Sequence, residues 1–208
     1  AYSLNFDLMF EHFWGNKGMF SAGVYYKHVT DHIFAITISD STDPASGIIY
    51  KTYDNAGKSY VAGMEITFKR QFDFLPRKLS GLGFDGNVTF SISRMQVPGR
   101  TEKQAMSEQT PILYNAALFY EKFGVNARIA LNYTGRYLKE LNLAAVKGIG
   151  LLHTDTKFDV FQGELYSLDA LVSYSFKKRY TIYIEANNLL NWQYYEYRGD
   201  IKRPIRIE

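Results

Sequence analysis

Apolar and polar residues alternate with a period of two along most of this 208-residue chain. That period sends successive side chains to opposite faces of a strand. It is clearest between Pro111 and Arg136. Ile112, Tyr114, Ala116, Leu118 and Tyr120 share one face. After the charged turn at Glu121-Lys122-Phe123-Gly124, Val125, Ala127, Ile129, Leu131 and Tyr133 alternate with Asn126, Arg128, Ala130, Asn132 and Thr134. The segment predicts an antiparallel hairpin with one apolar face bounded by Tyr and one face of Asn, Arg, Thr and Ala. A soluble sandwich would put the apolar face in a core and the polar one in water. A membrane barrel would give the apolar face to lipid, set aromatics at both interfaces, and keep the polar face in a wet lumen.

The same pattern predicts six more strands: Tyr2–Trp14, Met19 to about Ile38, Ser59–Phe72, Leu82–Arg94, Tyr166–Phe176 and Thr181–Asn188. Their connections alternate in length. Gly15–Gly18, Asp73–Gly81, Glu121–Gly124 and Lys177–Tyr180 are short, whereas Asp40–Gly57, Met95–Thr110 and Tyr137–Leu165 are long and polar. A tail, Leu189–Glu208, reads as irregular or as the start of another strand. Short turns at one end and long loops at the other mark an outer-membrane barrel; a sandwich has no such regularity. The expected fold class is therefore all-β, an antiparallel transmembrane β-barrel of about eight meander strands, with residues 1–208 forming one β-barrel region. With the short turns periplasmic, the first strand enters from outside and the eighth finishes outside, and no strand returns to close the barrel. The chain is accordingly expected to be part of a larger barrel.

Composition adjusts this picture only slightly. There are 17 Tyr, 15 Phe and no Cys, which removes disulfide scaffolds and thiolate metal sites. The formal charge of +3 is spread over turns and strands, with only Lys177-Lys178-Arg179 clustered, so no nucleic-acid partner is expected. No run of about 18 apolar residues occurs, which excludes a spanning helix but not spanning strands. Mean hydropathy, -0.24, is equally uninformative for a barrel. The first residues show no basic segment followed by an apolar run, so no signal peptide is visible.

Short motifs carry little chemistry. Gly81-Leu82-Gly83-Phe84-Asp85-Gly86 fits the dinucleotide glycine pattern, but a strand follows where a helix is required. Ser175-Phe176-Lys177-Lys178 ends a strand and lacks the helix that presents a nucleophilic Ser, and the two Asn-x-Thr sites at Asn87 and Asn132 lie within strands. His28 and His32 would pair on a helix, but on a strand they stand about 13 Å apart. No cofactor and no metal site is expected.

Three stretches resemble the C-terminal barrel of TonB-dependent outer-membrane receptors. Asn55-Ala56-Gly57 with Gly63-Met64-Glu65 is similar to a loop-to-strand segment of that family. Gln109-Thr110-Pro111 with Asn115 resembles the opening of a late strand, and Asn187-Asn188-Leu189-Leu190-Asn191 with Tyr194-Tyr195 resembles a segment near the family's C-terminus. The resemblance implies a barrel of about 22 strands closed by an N-terminal plug. It implies import of siderophores, cobalamin, glycans or peptides across the outer membrane of a Gram-negative-type bacterium, energised through TonB. It also implies as partners outer-membrane lipid, an N-terminal plug domain, TonB, and a small-molecule or oligomeric nutrient, with plug and closing strand outside this chain. The chain is not expected to be an enzyme.

Glu65, Arg128 and Glu185 have lumenal parity. A lipid-facing charge is costly, so these three are binding candidates toward a plug or substrate, or pore-lining charges held by cross-strand pairs. His153 and Asp155, with Asp159 and Glu164 nearby, fall in the longest loop and are candidates for ligand capture at the outer rim. Two other readings stand beside the receptor: a self-contained small barrel serving as anchor or adhesin, and a rim-sited hydrolase using His153 and neighbouring acids.

Overall fold

The computed structural model describes residues 1–39, 49–55, 57–97, 99–141, 144–146, 150–153, 156–177, 179–198 and 201–204. The first half of the chain holds β1 (Tyr2–Phe13), β2 (Gly18–Thr30), β3 (Ile33–Ser39), β4 (Ile49–Asn55), β5 (Ser59–Gln71) and β6 (Leu82–Met95). The second half begins with β7 (Ile112–Lys122), β8 (Val125–Thr134), β9 (Tyr137–Glu140), β10 (Ala144–Val146) and β11 (Gly150–His153). It continues with β12 (Val160–Gln162), β13 (Leu165–Phe176), β14 (Tyr180–Ala186), β15 (Tyr195–Arg198) and β16 (Ile201–Pro204).

Eight of these form one antiparallel sheet in the order β1-β2-β5-β6-β7-β8-β13-β14, a meander in which each strand lies beside the next of the set. The hairpin seen first in the sequence is present, with Lys122 opposite Val125. Phe123 and Gly124 carry its two-residue turn, both at positive φ (57° and 80°), as a tight hairpin of this twist requires.

Register keeps the two faces separate across all eight strands. On one face Leu8 stands opposite Val24, Val24 opposite Met64, Met64 opposite Phe90 and Phe90 opposite Ile112. Farther along, Leu118, Ile129, Ala170 and Ala186 form a similar row. None of the described residues covers this face. Leu4 is 73% exposed, Phe6 61%, Ile182 64% and Ile184 74%. A water-soluble sheet would leave far less apolar surface bare, and lipid is the solvent such a face requires.

Aromatic rings bound the apolar band. Toward the long connections Tyr26 stacks on Tyr60, and Tyr114, Tyr133, Tyr166 and Trp192 form a chain with ring centroids 4.6–4.7 Å apart. Toward the short turns, Trp14 meets Phe68, Phe68 meets Phe84, and Phe176 stacks on Tyr180. On β5 the two belts are marked by Tyr60 and Phe68, roughly 26 Å apart along a strand. Tilted by roughly 35–45°, a strand of that length rises about 20 Å, so the two belts bracket most of an apolar band of about 25 Å.

The long connections differ from the sequence reading. The run expected to continue to Ile38 breaks after Thr30: Asp31 turns the chain at φ 57°, and β3 leaves the main sheet to pair with β4 and β10. The connection between β8 and β13 contains β9 to β12 and a 3-10 turn at Thr156–Phe158. The tail, expected to be irregular or to begin another strand, supplies β15 and β16, which join β12 and β9 in a sheet ordered β16-β15-β12-β9. The small dry core of the described residues sits here, at the long-loop end, around Met95, Val97, Leu138 and Leu141, with Met106 and Phe161 against it.

Candidate functional site

Two surfaces offer polar chemistry: the inner face of the main sheet and the platform above its long-loop end. On the inner face, each strand alternates away from the lipid-facing rows, so its Asn, Ser, Thr and charged residues meet across the sheet. Asn115 donates to Asn87 (3.1 Å), Asn132 donates to Asp169 (3.3 Å), and the Ser167 hydroxyl donates to the same carboxylate (2.8 Å). Near the short-turn end Asp85 receives Lys69 (3.8 Å) and Arg128 (3.4 Å). An open hollow of about 400 Å³ lies over this cluster, lined by Lys17, Lys69, Gln71, Phe119, Glu121 and Arg128 among others.

Glu65, Arg128 and Glu185 all carry this inner parity, but they do not converge. Glu65 stands opposite Gly23 and Thr89, on the wall of a separate hollow with Asp7, Tyr25, Lys27 and Gln109. Arg128 is engaged with Asp85. Glu185 stands on β14 opposite Leu171 and accepts a hydrogen bond from Asn187 (3.3 Å). The three are separate wall positions, since strands spaced by roughly 4.8 Å cannot gather side chains several strands apart.

Two aromatic rings on this face lie flat against glycines. Tyr25 is directly opposite Gly63, and Phe119 directly opposite Gly83. A Cβ on Gly63 would lie 2.5 Å from the Tyr25 ring, and one on Gly83 would fall inside contact distance of Phe119. The missing side chains let both rings fold down onto the backbone, so the wall stays low where a Tyr or Phe would otherwise stand into the lumen.

The platform is pinned by charges that sequence reasoning did not bring together. Arg100 donates twice to Asp159, at 2.7 and 2.8 Å. Both side chains are almost fully buried, and the pair joins the 96–111 connection to the 137–165 one. Gln104 exchanges backbone hydrogen bonds with Met95 at 2.7 and 2.9 Å, which folds the first connection over the end of β6. Arg136 lies over the rings of Phe161 (4.7 Å) and Tyr197 (4.4 Å), and Lys202 lies 3.9 Å from the centre of Tyr195. Lys139 pairs with Glu196, and that hydrogen bond raises the Lys139 ammonium above its ordinary range, with burial opposing. Nothing local marks Arg100, Arg136 or Tyr197 as partners, because each contact spans distant segments.

Of the rim candidates, His153 ends β11, where its backbone pairs with Ala144, and Asp155 lies outside the described residues. Asp159 is committed to Arg100, so using it as a metal ligand or catalytic acid would break a buried pair. His32 stands just beyond β2, and partial burial lowers its imidazole below the ordinary range.

With apolar-out, polar-in strands and loops gathered at one end, the chain can be set against known proteins. It matches the family described as "TonB dependent receptor-like, beta-barrel" over residues 1–189. The chain belongs to that family. Among solved structures this receptor barrel is similar to the ferric yersiniabactin uptake receptor FyuA from Yersinia pestis, at 18% identity and a TM-score of 0.62, covering 93% of this chain and 25% of that one. It is similar to the siderophore receptor PiuA from Acinetobacter baumannii, at 14% identity and a TM-score of 0.63, covering 97% and 26%. It is also similar to the FrpB iron transporter from Neisseria meningitidis, at 13% identity and a TM-score of 0.59, covering 97% and 29%. At such identities the shared property is the fold. The chain spans about a quarter of the length of these receptors. No curated protein matches it. The family and these neighbours are transport receptors, not enzymes, so the hydrolase alternative is set aside. The family is one of outer-membrane barrels in Gram-negative bacteria.

Proposed function

We propose that this chain forms part of the wall and outer platform of an outer-membrane receptor that imports a metal–siderophore complex, energised through TonB. The observation that carries this reading is the eight-strand meander with a bare apolar outer face and a polar inner face, capped at one end by packed loops. The siderophore and iron proteins among its structural neighbours favour that class over cobalamin, glycan or peptide. In this reading the platform built from residues 96–111 and 137–165 captures the ligand. A plug domain then rearranges against the inner face, at wall positions such as Glu65, Arg128 and Glu185, and the ligand passes through the lumen. His153 and Asp155 belong to the capture segments by position.

The test uses the full-length protein in its own host under iron limitation. Deleting its gene is expected to abolish uptake of at least one radiolabelled ferric siderophore, with restoration by the intact gene and no restoration in a strain lacking TonB. Undiminished uptake across a panel of hydroxamate, catecholate and phenolate siderophores would overturn the proposed substrate class.

A further inference from the structure

The consecutive cations Lys69 and Arg70 near the end of β5 are sent to opposite faces by the strand period. Lys69 turns inward and finds Asp85 at 3.8 Å. Arg70 turns outward, in register with Gly18 and Phe84 on the lipid-facing side. There its guanidinium carbon lies 5.0 Å from the centre of the Trp14 ring and 5.4 Å from that of Phe74. Among the described residues no carboxylate pairs with it; the nearby Asp73 is taken by Lys17 at 3.8 Å.

The surroundings are shaped to hold this side chain. A Cβ on Gly18 would lie 3.1 Å from the Trp14 ring and 3.2 Å from Arg70 Cγ. The indole therefore lies over bare backbone beside the arginine stem. Trp14 also meets Phe68 edge-on at 5.8 Å, which ties the group to the last aromatic belt before the short turns. A guanidinium facing hydrocarbon with no counter-charge is costly in mid-membrane and tolerable only at the margin, where a headgroup supplies the missing anion. Arginine is also the side chain whose planar fork matches a phosphate.

We propose that Arg70, flanked by Trp14 and Phe74, is a binding site for the phosphate of an anionic phospholipid in the periplasmic leaflet. The proposal rests on the reading that the apolar face meets lipid. The site takes a phosphodiester headgroup at Arg70, with the acyl chains running up the Phe68–Phe84 surface.

The experiment reconstitutes the full-length receptor in phosphatidylcholine nanodiscs containing a minor fraction of acyl-brominated lipid, either phosphatidylglycerol or phosphatidylcholine. Trp14 quenching is isolated as the difference between the protein and its Trp14→Phe variant. The expected result is an apparent preference of about fivefold for the brominated phosphatidylglycerol, the factor set by one basic residue at an anionic surface. Arg70→Gln is expected to erase that preference and Arg70→Lys to keep part of it. Equal quenching by the two brominated lipids would overturn the proposal while leaving the lipid-facing assignment standing. No quenching by either would overturn both. The comparison of lipids on the unmodified arginine needs no variant at Arg70 to fold.

Discussion

Arg100 and Asp159, 59 residues apart in the chain, form a two-pronged ion pair whose side chains are 3% and 2% exposed. The pair joins two connections that leave the barrel from different strands, β6 and β8, and the Arg100 backbone N–H donates to the carbonyl of Val97 (3.2 Å), a member of the Met95–Val97–Leu138–Leu141 cluster. Two charges held that far from water each depend on the opposite charge beside them.

Removing one partner is therefore expected to be worse than the modest value of a surface ion pair. Arg100→Ala or Asp159→Ala in the full-length receptor should destabilise the platform by about 3–5 kcal/mol. The effect should appear as faster proteolysis and hydrogen exchange in residues 96–111 and 156–162, while exchange in the main sheet stays slow. Replacing both residues by apolar ones of similar size is expected to recover much of the loss. Unchanged protection in the single variants would mean the pair does not hold the loops.

The Phe119–Gly83 contact makes a second prediction. Gly83→Ala forces the ring off the backbone and into the lumen, because the added methyl overlaps it. Folding yield into vesicles is expected to fall, with a cost of about 1–3 kcal/mol, the usual range for overpacking. Phe119→Ala combined with Gly83→Ala should cost less than the two changes summed, since truncating Phe119 removes the ring's share of the clash and leaves only the methyl's 2.8 Å approach to the Arg70 carbonyl oxygen. Strict additivity would show that the ring does not rest on that glycine.

Consecutive residues on β8 test the two faces. Ile129 faces the lipid rows, opposite Leu118 and Ala170, whereas Ala130 faces inward, opposite Ala117 and Asp169. Ile129→Arg is expected to cost about 2–4 kcal/mol of folding stability in a bilayer. Ala130→Arg should cost far less, with Asp169 opposite as a counter-charge. Equal penalties would contradict the assignment of faces.

A pH dependence follows from Lys139. Its hydrogen bond to Glu196 raises the ammonium above 10.5, its ordinary value. A raised lysine contributes stability that is fully present below the unfolded value and is lost as pH rises through the folded one. Protection of β9 and β15 against exchange, corrected for the intrinsic rate, should stay level from neutral pH to about 10 and fall above that. The pair is partly exposed, so the fall should be well under 1 kcal/mol, and Lys139→Gln should remove it.

The alternation of Leu4, Phe6, Leu8 and Phe10, or of Val125, Ala127, Ile129, Leu131 and Tyr133, determined the strands, the two faces and the order of the hairpins. This was legible because side-chain direction along a strand is a local property, fixed residue by residue by backbone geometry. The same locality made the inner parity of Glu65, Arg128 and Glu185 readable. Parity says which way a residue points and nothing about its partner, so only the assembled sheet decided that Arg128 answers to Asp85 and that the three stand apart. The long connections were the least legible part. Residues 137–165 carry no steady period of two, because β9 to β12 are short and draw their partners from the 33–39 segment and from the tail. The Arg100–Asp159 pair, the Arg136 stack on Phe161 and Tyr197, and the outward turn of Arg70 onto Trp14 join residues that no spacing rule connects. Tertiary structure decided them, because burial and charge pairing depend on which distant segments the fold brings within a few ångströms.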